Sequence, residues 1–82
     1  MIDPVYVYIL VSEQYPERHY TGCTKDLVAR LKKHNEGGVP HTSSCRPWRV
    51  ETVIRFNSGD KARDFERYLK TGSGRAFARK HF

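Results

Sequence analysis

The sequence predicts a small α/β (α+β) domain: a three-stranded antiparallel sheet flanked by helices, in the order strand, strand, helix, strand, helix, helix. Three observations carry this. A β-branched and aromatic run, Val5 to Leu10, opens the chain; a second alternating run, Trp48 to Phe56, lies near its middle; and two stretches with apolar residues at helical spacing follow one after each strand region. Eighty-two residues make a single domain, 1–82, with room for only a small core.

In the first run Val5, Val7 and Ile9 alternate with Tyr6, Tyr8 and Leu10, as expected of a strand covered on both faces. Ser12 to Arg18, with Pro16, is a hairpin connection to a short second strand around His19 to Thr21, which Gly22 ends. Thr24 is placed to cap a helix whose stripe is Leu27, Val28 and Leu31, stopped by Gly37-Gly38. Arg30 and His34 stand four residues apart at the margin of that stripe, at the edge of the buried face. A polar loop, Gly38 to Pro47, leads to the third strand, with Trp48, Val50, Ile54 and Phe56 on its core side. Asn57 to Asp60 form a turn and cap before a helix built on Ala62, Phe65, Tyr68 and Leu69. After Ser73-Gly74 a basic tail from Arg75 makes a third helix anchored by Phe77. Glu66 borders the buried face of the second helix, where a carboxylate needs a cation or a donor.

The formal charge of +6 favours a polyanionic partner, with nucleic acid first. Lys25, Lys32, Lys33, His41, Arg46, Arg49 and the Arg75, Arg79, Lys80 tail are the candidate contacts to its backbone, although each alone is more often a solvated side chain. No apolar run reaches the roughly 18 residues of a membrane span, so no membrane partner is expected. Cys23 and Cys45 are too few for a disulfide framework, which points to a reduced, cytoplasmic protein. Together with His34 and His41 they also lack the close ligand pair of a zinc site.

Tyr8, then Tyr20 with Gly22, then Arg30 eight residues beyond that glycine, then Glu66 within Arg63-Asp64-Phe65-Glu66-Arg67-Tyr68-Leu69-Lys70, form an ordered set that resembles the GIY-YIG endonuclease superfamily, small stand-alone bacterial type. Tyr6 stands where the first signature usually has glycine, and Thr21 replaces the aliphatic residue of the second. The resemblance implies a metal-dependent endonuclease acting on DNA, structure- or damage-directed. In it Glu66 holds Mg2+ (or Mn2+), Arg30 faces the scissile phosphate, Tyr8 and Tyr20 orient or deprotonate water, and His34 contacts phosphate or relays a proton. Each role has a physical basis. One carboxylate suits magnesium, which keeps several waters, and a guanidinium matches two phosphate oxygens. A phenol ionises at pH 7 only with help from nearby cations, of which Arg30 is one. Tyr6 is left to packing. An RNA substrate, a non-cleaving nucleic-acid-binding module on the same scaffold, and a protein partner supplying targeting stay open at this point.

Overall fold

The computed structural model describes residues 3–82. Its elements are β1 (Val5–Ser12), β2 (His19–Thr24), α1 (Leu27–Asn35), one 3-10 turn (Ser43–Cys45), β3 (Trp48–Phe56), α2 (Gly59–Leu69) and α3 (Gly72–His81). The order is the expected one, and the sheet runs β2-β1-β3 with both pairs antiparallel. Among the described residues no helix is long and apolar enough to cross a membrane.

β1 is buried along nearly its whole length because it is the central strand and both of its faces are covered. Val5, Val7 and Ile9 meet Ala62 and Leu69 of α2, with Phe56, Phe65, Phe77 and Ala78 around them. Tyr8 and Leu10 face the other way, into a second core with Cys45, Trp48, Tyr20, Leu27, Leu31 and Val50. The sheet thus separates α2 and α3 from α1 and the 38–47 loop.

Several expected details change, each for a local reason. β2 does not stop at Gly22: it continues to Thr24, with Gly22 paired opposite Tyr8. The α1 cap is Asp26, whose side chain accepts from the Ala29 N–H at 3.0 Å; Thr24 Oγ1 instead bonds both backbone groups of Asp26, at 3.1 and 3.2 Å. The buried side of α1 is Leu27, Leu31 and His34, at positions i, i+4 and i+7, which turns Val28 outward at 81 % exposure. His34 is therefore not marginal but fully buried.

β3 carries a bulge. Ile9 pairs with Thr52 but Leu10 pairs with Val50, leaving Glu51 as the extra residue. One inserted residue switches a strand's faces, so Trp48 and Val50 join the Tyr8 core while Ile54 and Phe56 turn to the opposite one. The expectation that all four share a side fails for that reason. Asn35 ties the end of α1 to the start of β3 through two bonds to the Trp48 backbone, at 2.6 and 3.0 Å.

α3 starts earlier than expected, at Gly72, with Thr71 capping the Gly74 N–H at 3.1 Å. Gly74 sits directly on the α2 backbone: a Cβ there would lie 1.8 Å from the Tyr68 carbonyl oxygen. Gly74→Ala should therefore cost about 3 kcal/mol in urea unfolding, because backbone, unlike a side chain, cannot step aside. Gly72→Ala, with nothing within 4 Å of the added atom, should stay within about 0.5 kcal/mol of wild type.

Candidate functional site

The site begins with a buried phenol. Tyr8 is 1 % exposed, and the paired residue on β2 is Gly22, where a Cβ would stand 2.3 Å from Tyr8 Oη. Only a residue without a side chain leaves space for that hydroxyl at the sheet edge. Tyr8 Oη then lies 3.1 Å from His34 Nε2, and His34 Nδ1 lies 2.8 Å from Thr42 Oγ1. Thr42, also fully buried, donates its single hydroxyl proton to the Val39 carbonyl at 3.2 Å. Its oxygen must then accept from His34 Nδ1–H, which leaves Nε2 as the acceptor of the Tyr8 O–H. The chain of donors runs from Tyr8 to His34 to Thr42 to the backbone. Thr42 is fixed in turn because its carbonyl accepts the Trp48 indole N–H at 2.8 Å. Tyr20 completes the cluster, its ring centroid 4.8 Å from that of His34 and 6.4 Å from that of Tyr8.

Arg30, one turn before His34 on α1, and Glu66, reaching across from α2, line a shared hollow of about 530 Å³ with Cys23, Lys25 and Arg63. Burial, reinforced by Tyr20, pushes the Tyr8 phenol up to about 12; Glu66 and Cys23 push the same way and Arg30 opposes them. The cation expected to ease ionisation is present, and burial outweighs it. Burial also lowers His34 below its ordinary 6.5, helped by the Arg30 and Lys33 charges. The Cys23 thiol is raised, first by burial and then by Glu66.

Glu66 is half-buried and paired with Lys70, Nζ to Oε2 3.0 Å. The neighbouring arginines are taken elsewhere, Arg63 by Asp60 at 2.9 Å and Arg67 by Asp64. No three potential metal ligands of the His, Cys, Asp and Glu types cluster among the described residues. A divalent ion held wholly by protein does not fit this site. A hard cation that takes one carboxylate and fills its shell with water and substrate oxygens does.

Tyr8, Tyr20 and His34 cluster together, the charges of Arg30 and Glu66 act on the Tyr8 phenol, and Lys25 lines the hollow with Arg30 and Glu66. Lys33 and His41 are exposed side chains outside it, and Arg46 is a loop pin whose Nε donates to the Ser43 carbonyl at 2.7 Å. Arg75 lines a different hollow, beside α3. Cys23 and Cys45 pack in cores on opposite faces of the sheet, which separates the two sulfurs of the zinc set. Two residues, Arg63 lining the hollow and Thr42 buried behind His34, escaped the sequence-level assignment of roles. Arg63, three residues before Glu66, was legible from helical spacing; Thr42, the support of His34, had no local signal because its partner is eight residues away through a loop.

The sequence matches the GIY-YIG catalytic domain over residues 4–80. It is 39 % identical over 70 residues to the structure-specific endonuclease subunit SLX1 of Meyerozyma guilliermondii, covering 78 % of this chain and 24 % of that protein. With slx1 of Schizosaccharomyces japonicus it shares 41 % identity over 51 residues, 57 % of this chain and 19 % of the relative. A UPF0213 protein of Clostridium perfringens is 36 % identical over 66 residues, 79 % of this chain and 69 % of its own length. The chain spans about a quarter or less of the fungal relatives.

The His34 environment sets a pH dependence of stability. Folding lowers its pKa, so the unfolded chain binds more protons as pH falls through 6.5. The contribution is complete above that value and is lost on acidification. Urea unfolding from pH 8 to 5 should show stability falling below about 6.5, and His34→Asn, less stable throughout, should show a flatter profile across that window.

Proposed function

The chain belongs to the GIY-YIG catalytic-domain family, and from that premise we propose that it is a divalent-metal-dependent endonuclease that hydrolyses DNA phosphodiester bonds. The observation that carries the mechanism is the Tyr8–His34–Thr42 chain, whose phenol feels the charges of both Arg30 and Glu66. A phenol raised to about 12 would cost about 7 kcal/mol to ionise alone at pH 7. Tyr8 is instead paired with a base. As its oxygen takes a proton from the attacking water, its own proton passes 3.1 Å to His34 Nε2, so that no free phenolate forms. The lowered pKa of His34 keeps Nε2 unprotonated and available at neutral pH, and an anionic phosphate close by favours the imidazolium once it forms.

Arg30 provides the fixed positive fork for the phosphate, and Tyr20, its ring tilted against that of His34, orients the water from the β2 side. Mg2+ or Mn2+ bound at Glu66 would supply Lewis acidity toward the leaving oxygen. Direction by DNA structure or damage rather than by sequence is supported by the small surface of the matched domain, residues 4–80, which offers little room for base reading. The "structure-specific endonuclease subunit" name of the fungal relatives points the same way, and the word subunit supports a targeting partner.

Nicking of plasmid, branched, single-stranded DNA and RNA in Mg2+ tests this. Glu66→Gln, Tyr8→Phe and Arg30→Ala should each slow DNA cleavage by about 10²- to 10³-fold. The wild-type rate should fall on acidification, and His34→Ala should lose that limb. Cleavage unaffected by Glu66→Gln would remove the metal assignment, preference for RNA would change the substrate, and binding without cleavage everywhere would make the chain a binding module.

A further inference from the structure

Beside the candidate site lies a second and larger hollow, about 700 Å³, between β2 and α3. The two share a seam. Along β2 and α2, the first takes Cys23 and Thr24 with Arg63 and Glu66, and the second takes Tyr20 and Thr21 with Leu69 and Lys70. The Lys70–Glu66 ion pair, 3.0 Å long, crosses from one to the other, and Tyr20 lies against His34 of the first.

The charges of the second hollow are lopsided. Lys70, Arg75 and Arg79 line it; against them stand Glu17 and Glu51, and Glu51 is already engaged by His19 at 3.3 Å. Arg75 and Arg79 are one helical turn apart on the same side of α3, both exposed, and neither has an ion-pair partner among the described residues. Two free guanidiniums one turn apart, continuous with a phosphate site, suit a phosphodiester backbone.

We propose that this hollow is the track for the nucleic-acid strand where it leaves the Glu66 centre, with Arg75 and Arg79 as its phosphate contacts and Lys70 as an exchangeable third. Lys70 is held by Glu66 while that carboxylate is free, and it turns to the backbone when Glu66 is neutralised. This rests on the nucleic-acid reading of the catalytic site. It assigns Lys70 a second role: it occupies Glu66 in the resting protein and delivers a positive charge to the substrate in the engaged one.

The experiment needs neither metal nor turnover. Binding of a labelled DNA strand of ~12 nucleotides is followed by fluorescence anisotropy in EDTA over a range of salt. Arg75→Gln/Arg79→Gln should reduce the slope of log K against log salt by about two, one for each lost contact. Arg55→Gln/Lys61→Gln, the same charge change outside both hollows, should alter it far less. Lys70→Gln should change affinity by less than about twofold in the wild-type background. In a Glu66→Gln background, where the ammonium is released, the same substitution should lower the slope by about one. All six positions are exposed or half-buried, and far-UV circular dichroism checks that each variant folds. If Arg75→Gln/Arg79→Gln behaves like the control pair, there is no track. If Lys70→Gln costs the same in both backgrounds, there is no exchange. Should Arg30→Gln also match the control pair, the nucleic-acid reading itself falls, and the two failures are distinguishable.

Discussion

The buried Tyr8 hydroxyl is the constraint on which the rest of the site depends. A phenol on the central strand of a three-stranded sheet, 1 % exposed, must find a hydrogen-bond partner within the protein. Every neighbouring feature answers that demand. Gly22, held opposite Tyr8 by the strand register, leaves the hydroxyl its space; His34, two turns into α1 beyond Leu27, brings an imidazole nitrogen to it; and Thr42 closes the far side of the ring. The same bonds set the protonation state, since a threonine that donates to a carbonyl can only accept from Nδ1. Structure and acid–base chemistry are here a single arrangement, and no buried side-chain polar atom among the described residues is left without a partner.

The sheet edge explains how groups from two opposed layers come close to one another. Tyr8 and His34 belong to the layer of α1, whereas Glu66 and Arg63 belong to α2 on the other face. β2 is the outer strand, so both layers can meet around it at Gly22 and Cys23. Moving Glu66 into that meeting place depends on the packing of α2, which is pinned from below by α3 through the backbone contact at Gly74. The bulge at Glu51 serves both cores at once: it lets a single strand supply Trp48 and Val50 to one and Ile54 and Phe56 to the other. A regular strand of the same composition would leave one core short of large side chains.

The order of elements, their periods and the anchor residues were legible from the chain, because alternation in Val5 to Leu10 and the apolar spacing of the helices are local properties. The ordered set Tyr8, Tyr20, Arg30, His34 and Glu66 was legible too, through family resemblance and helical spacing. The misplaced details share one cause. Thr24 and Asp26 are both sound caps, Val28 and His34 both border the Leu27–Leu31 stripe, and Gly22 suits either a strand end or a strand interior. Local chemistry leaves such pairs nearly even, and packing against another element breaks the tie.

By itself the sequence determined the fold class and the residue types from which the candidate site is built, and its charge favoured a polyanionic partner, since composition and periodicity act along the chain. Tertiary structure decided what those residues can do. It took His34 from a helix margin into full burial, made Tyr8 harder rather than easier to ionise despite Arg30, and set His34 Nε2 3.1 Å from the Tyr8 hydroxyl. It also set Lys70 on Glu66, between two hollows. Desolvation and hydrogen-bond direction depend on what surrounds a group on every side, and those surroundings come from segments far apart in the chain.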